Sequence, residues 1–150
     1  MFDKKITMYK SVVDTTEPVV VTLSTALKRI KDGNSEETVS QVRDGSKSRK
    51  KDLPIALFSG VFEGRKDQDL KAHSGLIVLD FDHINVSESK SLLGTDDYVL
   101  ACWASPSGDG LKALINVSHP DKHRDHFRSL QSYFEKQYGL EVDPSGVNEA

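Results

Sequence analysis

Apolar residues in the second half of the chain follow spacings that predict three strands and two helices. The apolar runs of GLIVLDFD, YVLACWAS and LKALINV predict strands at 75–82, 98–105 and 111–117. The sequence from 121 to 139 places its apolar residues on one stripe and predicts an amphipathic helix that stops at Gly139. SESKSLLG, 87–94, predicts a shorter helix. The predicted order is therefore strand, helix, strand, strand, helix.

One more strand would complete the β-α-β-β-α-β split motif. LEVD, at 140–143, is short, and no apolar run follows it. We therefore expect the chain to stop inside a longer protein, before or within that last strand. The predicted fold class is α+β, with a ferredoxin/RRM-like core whose helices cover one face of a mostly antiparallel sheet.

The first half of the chain is predicted to form an extension with helices and strand. TLSTALKRIKDG and NSEETVSQVRDG predict short helices, and PIALFSGVF predicts a strand that begins at Pro54. Residues 43–52, RDGSKSRKKD, carry five basic side chains and no apolar one. This basic loop is either a solvated linker or a nucleic-acid contact. We predict an N-terminal extension over 1–52 and a catalytic core over 53–150.

Composition narrows the class of protein. Apolar residues make up 37% of the 150 residues, and no apolar run is long enough to cross a membrane or to form a signal peptide. The single cysteine, Cys102, excludes an internal disulfide. We therefore expect a cytoplasmic protein. The net charge of −3 indicates that any nucleic-acid contact is local, or that acidic residues hold cations.

Two carboxylates end the strand at 75–82. Asp80 and Asp82 are two residues apart, so on an extended segment both point to one face, roughly 7 Å apart at the backbone. Their mutual repulsion needs compensation, and Mg²⁺ or Mn²⁺ prefers carboxylate oxygen. The plainer alternative is that one Asp caps a turn while the other pairs with a lysine.

The second candidate element is SPSGDGLK, 105–112, which joins two predicted strands. Its glycines allow a ligand to approach the backbone closely, and backbone amides with a lysine can hold phosphate. The residues concerned are Ser105, Ser107, Gly108, Gly110 and Lys112. A plain glycine-rich hairpin with a surface lysine is the alternative.

The topology predicts where these elements meet. In the split motif the first and third strands are antiparallel neighbours, so Asp80 and Asp82 lie beside Lys112. Asp143, in EVDPSG, joins them if the fourth strand starts after it. If LEVD is itself that strand, Asp143 lies at the far edge. Asp-Pro-Ser-Gly is also a common turn.

LDFDH, SPSGDGLK and EVD, in this order and spacing, resemble the three motifs of the archaeo-eukaryotic primase superfamily, the primase-polymerases. The most similar pattern is that of the N-terminal primase-like domain of virulence-associated protein E-type proteins of phages and bacterial mobile elements. The resemblance covers about residues 53 to 147. Many relatives have Ser-x-His in the second motif, where this chain has no histidine and Lys112 would take its place.

The resemblance implies a nucleotidyltransferase of DNA replication that works on a single-stranded DNA template. The 3′-hydroxyl of a primer, or the hydroxyl of a first nucleotide, would attack the α-phosphate of a nucleoside triphosphate, and pyrophosphate would leave. It implies that Asp80, Asp82 and Asp143 are catalytic and hold Mg²⁺ or Mn²⁺. The second motif would bind the triphosphate. A helicase domain would follow in the same longer protein, in a bacterial or phage-infected cell. The rival interpretation is a non-catalytic nucleic-acid-binding module of a replication protein, whose sheet binds single strands.

Overall fold

The structure is a computed structural model that describes all residues from Met1 to Ala150. It is an α+β protein in which every strand pairing is antiparallel. The chain divides into two compact units, Met1–Ser74 with Ala150, and Gly75–Glu149. No helix has the length and apolar character needed to cross a membrane.

The first unit contains two small sheets and two helices. Its elements are β1 (Lys5–Tyr9), β2 (Val19–Thr22), α1 (Leu23–Lys31), α2 (Glu36–Arg43), β3 (Ile55–Leu57), β4 (Gly60–Phe62) and β5 (Leu70–His73). One sheet has the order β2-β1-β3 and the other pairs β4 with β5. Because β3 pairs with β1, the compact unit continues past the predicted division after residue 52 and ends at Ser74.

The predicted helices of this unit are confirmed, and the predicted strand PIALFSGVF is two strands. The chain leaves one sheet after Leu57 and enters the other at Gly60. Buried Thr7 links the sheets, since its hydroxyl donates to the Gly60 carbonyl at 3.0 Å and accepts from the Phe62 amide at 2.9 Å. The basic loop is exposed as predicted, although Lys47–Asp52 within it form a 3-10 helix.

The second unit carries the predicted motif. Its elements are β6 (Leu76–Phe81), α3 (Val86–Leu93), β7 (Val99–Ala104), β8 (Leu111–Asn116) and α4 (His123–Tyr138). The sheet order is β6-β8-β7, as the split motif requires. Asn85 caps α3 by accepting from the Glu88 amide, and Gly139 ends α4 in the left-handed conformation.

The core of this unit lies between one sheet face and the two helices. Ile77, Leu79 and Phe81 of β6 are fully buried in it. Phe81 meets Phe134 of α4 edge-to-face, with ring centroids 5.6 Å apart. Because side chains alternate along a strand, Asp80 lies on the opposite face of the sheet.

Residues 140–143 form no strand, and Pro144–Val147 form a 3-10 helix. The unit therefore contains five of the six elements of the split motif. The fourth strand is not formed by residues 140–143.

Candidate functional site

Asp80 is held by a lysine on the neighbouring strand. The register of β6 and β8 places Asp80 directly opposite Lys112, and the Lys112 Nζ donates to Asp80 Oδ1 at 2.6 Å. Both side chains are about two-thirds buried, with exposed fractions of 31% and 32%. The predicted meeting of the carboxylate strand with Lys112 is confirmed. This ion pair also fits the alternative without a metal, in which one of the two aspartates pairs with a lysine.

Asp143 arrives at the same strand end. Its amide donates to the Asp80 carbonyl at 2.8 Å. Its carboxylate accepts from the Ser145 amide at 2.8 Å, which begins the following 3-10 turn. The sequence left two positions open for Asp143, and the structure selects the one beside Asp80. It does so because residues 140–143 do not run as a strand.

The carboxyls of Asp82 and Asp143 lie close enough to shift each other's pKa. Partial burial raises the pKa of Asp82, and the hydrogen bond and charge of Asp143 and the charge of Asp80 raise it further. Hydrogen bonds from Ser145 hold the pKa of Asp143 below its usual range. Asp82 is therefore the carboxyl of the pair that takes up a proton more readily.

The glycine-rich segment forms a closed turn rather than an open cradle. The Ser105 amide donates to the Gly110 carbonyl at 2.9 Å, and the Gly108 amide donates to the Ser105 carbonyl at 3.0 Å. The Ser105 and Ser107 hydroxyls lie 2.9 Å apart, and Ser107 donates to Asp109 Oδ1 at 2.7 Å. The Gly108 amide thus closes the turn here, and its predicted contact with phosphate would require this hydrogen bond to open.

Gly110 brings this turn against the end of β6. A Cβ atom at this position would lie 2.6 Å from the Phe81 carbonyl oxygen and 3.4 Å from Asp82 Oδ1. No side chain other than hydrogen fits between these backbones. Gly110 therefore contributes through close packing that joins the second motif to the first.

Two residues that were not assigned to the site fasten the turn to the carboxylate segment. His83 Nδ1 and Asp109 Oδ2 are 2.8 Å apart, and the Ile84 amide donates to the Asp109 carbonyl at 3.0 Å. A hydrogen bond from Ser107 lowers the pKa of Asp109, and His83 adds to that effect. His83 has φ of 53°, an uncommon value for a residue other than glycine. His83 is thus a hydrogen-bonding turn residue. Its position directly after Asp82, and that of Asp109 inside SPSGDGLK, were the available sequence signals for these two residues.

The carboxylates fit a hard divalent cation in chemistry, while their present arrangement is not a metal cage. No group of three His, Cys, Asp or Glu side chains converges closely enough to hold an ion. Lys112 compensates the charge of Asp80, while partial burial and the neighbouring Asp143 and Asp80 raise the pKa of Asp82. Lys112 thus compensates part of the negative charge at this strand end. A divalent cation at these carboxylates would compensate the remaining negative charge.

Residues 48–148 match the model of the family described as BT4734-like, N-terminal domain. The match spans more than half of the chain and includes every residue of the site described above. No curated protein and no solved structure matches the chain. The chain therefore belongs to the BT4734-like N-terminal domain family.

Proposed function

We propose that this member of the BT4734-like N-terminal domain family is a metal-dependent nucleotidyltransferase of the primase-polymerase type. One observation carries the proposal: Asp80, Asp82, Asp143 and Lys112 lie together at one strand end. The three carboxylates suit a divalent cation and the lysine suits a polyphosphate, so the group suits the two ligands bound together better than either ligand alone. The motif resemblance to primase-polymerases and to the virulence-associated protein E-type domains supports the same function.

The chain's own residues have separate tasks in this proposal. Asp80, Asp82 and Asp143 would hold Mg²⁺ or Mn²⁺, and a bound cation would favour the charged form of Asp82. A bound ion would polarise the α-phosphate and stabilise the charge of the leaving pyrophosphate. In the overall reaction, a primer 3′-oxygen forms a bond to the α-phosphorus, the bond to pyrophosphate breaks, and the hydroxyl proton leaves to solvent.

Lys112 would change partners during the reaction. In the free protein its ammonium group is bound to Asp80. A cation on Asp80 would release Lys112, which would then pair with the phosphates of the nucleoside triphosphate. The hydroxyls of Ser105 and Ser107 lie on the adjoining turn and can donate to the same phosphates once they leave their present partners. Binding of the metal ion would therefore raise the affinity for the nucleotide, and binding of the nucleotide would raise the affinity for the metal ion.

A non-catalytic nucleic-acid-binding module is the second candidate function. It is favoured by the exposed 3-10 helix Lys47–Asp52 in the first unit, which carries Lys47, Arg49, Lys50 and Lys51. Arg49 is paired with Asp52 at 2.6 Å, so the three lysines are the free cations of this segment for phosphate contact. In the enzyme proposal the same helix would bind the single-stranded template, and a helicase domain in a longer protein would deliver it.

The test is incorporation of a labelled deoxynucleoside triphosphate on a primed single-stranded DNA template by the full chain. Wild type is compared with Asp82→Asn and with Asp121→Asn, a matched change at an exposed aspartate on another element. We expect product in Mn²⁺ with wild type and Asp121→Asn, a loss of at least about 100-fold with Asp82→Asn, and none in EDTA.

Other outcomes identify the alternatives. DNA binding that persists in EDTA without incorporation by any variant would replace the enzyme with the binding module. Loss of the template would indicate a nuclease. Equal incorporation by wild type and Asp82→Asn would refute the assignment of the site.

A further inference from the structure

A depression in the second unit lies away from the carboxylate strand end and shares no residue with it. It is open to solvent, has a volume of about 520 Å³, and is lined by Thr95, Asp96, Asp97, Tyr98, Tyr133 and Tyr138. These residues come from the segment before β7 and from the last turns of α4. The volume lies in the range of small-molecule sites.

Aromatic rings form its walls. Tyr98 stands edge-to-face with Tyr133, with centroids 5.1 Å apart, and Tyr133 stands edge-to-face with Tyr138 at 6.3 Å. The side chain of Tyr98 is 58% exposed. Exposed ring faces carry negative potential and attract cations. The aromatic lining therefore favours a positively charged group over an anion.

The floor carries negative charge. Asp96 is 8% exposed, and its carboxylate accepts from the hydroxyls of Tyr133 and Tyr138 and from the Tyr98 amide. Burial raises the pKa of Asp96, but these hydrogen bonds outweigh burial and hold the pKa below its usual range. The hydrogen bonds to Asp96 raise the pKa of both phenols. The acid is therefore charged and the phenols are neutral.

No cation of the protein neutralises this floor. Neither Asp96 nor Asp97 forms an ion pair, and no lysine or arginine lines the depression. Lys136 lies in the last turn of α4 but is not part of the lining. The carboxyl end of α4 adds the negative end of a helix dipole next to Tyr138.

We propose that this depression binds an organic ammonium group, supplied by a polyamine or by a lysine side chain. An alkylammonium group matches both features, since its charge faces Asp96 and Asp97 while its methylene groups lie on the rings. A bare metal ion fits less well, because three hydrogen bonds already occupy the Asp96 oxygens. The proposal is independent of the proposed nucleotidyltransferase activity.

The test is an amide-resolved NMR titration of the full chain with n-butylammonium chloride, and with n-butanol as the uncharged probe of matching length. We expect saturable shifts at Thr95–Tyr98 and around Tyr133 and Tyr138, with a dissociation constant on the order of 1 mM, and no such shifts with butanol. Tyr98→Ala and Asp97→Asn change exposed side chains and should each weaken binding about fivefold. Asp121→Asn should leave it unchanged.

Spermidine and Nα-acetyl-lysine amide then distinguish the two sources of the ammonium group. The probe that binds more tightly identifies the source as a polyamine or as a lysine side chain. The absence of saturable shifts with butylammonium would overturn the proposal. An equal response to butanol would overturn it as well, and so would equal weakening by Asp121→Asn.

Discussion

Replacing Gly110 by alanine tests whether close packing joins the glycine-rich turn to the carboxylate strand. The new Cβ would lie 2.6 Å from the Phe81 carbonyl oxygen and 3.2 Å from the Ser105 hydroxyl oxygen. Ordinary contacts between such atoms are about 3.4 Å, so one backbone must move by roughly 0.8 Å. The Phe81 carbonyl belongs to a paired strand and cannot swing aside as a side chain could.

We expect Gly110→Ala to lower the free energy of unfolding by about 2 kcal/mol, within the range of overpacked sites. With a urea m-value of about 2 kcal/mol/M, the unfolding midpoint should fall by about 1 M. Nucleotide binding in the presence of Mn²⁺ should weaken as well, because the turn moves away from Asp82.

Gly139→Ala is the matched control. Gly139 has φ of 66° and no atom within 4 Å of its added Cβ, so the variant meets only the left-handed backbone penalty of about 1 kcal/mol. It should lose stability without any change in nucleotide binding. A Gly110→Ala protein with wild-type stability and wild-type binding would refute the packing argument.

Three further changes have defined outcomes. Asp82 has a raised pKa in the folded state. Its contribution to stability is therefore present below its unfolded pKa of about 3.8 and is lost as pH rises through the folded pKa. In urea unfolding, the free energy of unfolding of Asp82→Asn should exceed that of wild type by about 1 kcal/mol at pH 7 and approach it near pH 4. A variant less stable than wild type at pH 7 would contradict this. Lys112→Gln should lower stability by about 1 kcal/mol and nucleotide affinity about tenfold, whereas exposed Lys122→Gln changes neither; equal effects of the two would count against Lys112. Tyr138→Phe should cost about 1 kcal/mol in thermal unfolding by removing a hydrogen bond to Asp96, and an unchanged melting temperature would speak against that bond.

The second unit was predictable from sequence because its strong signals are local. The apolar run of β6, the stripe of α4 and the order of elements together predict that β6 and β8 are neighbours, and the register opposite Asp80 follows. The position of Asp143 was left open, since it depends on the hydrogen bond from its amide to the Asp80 carbonyl, which joins residues far apart in sequence. The mutual effect of Asp82 and Asp143 on their pKa values depends on the same contact.

The first unit was less predictable because its strands are short and the pairing of β1 with β3 spans a long stretch of chain. β1 has polar Thr7 at a fully buried position, which obscures the apolar alternation of a strand. The hydroxyl of Thr7 is satisfied by Gly60 and Phe62, more than fifty residues later. β2 and β5 have four residues each, too few for a periodic signal.

The most direct test of the metal–nucleotide site is calorimetric titration of a nucleoside triphosphate into the full chain, in Mn²⁺ and again in EDTA, for wild type and Asp82→Asn. We predict that wild type binds the nucleotide saturably in Mn²⁺. This binding should be lost when EDTA replaces Mn²⁺ and when Asp82 is replaced by Asn. Binding of equal strength in all four titrations, or no binding in any of them, would contradict the assignment of Asp80, Asp82, Asp143 and Lys112 to such a site.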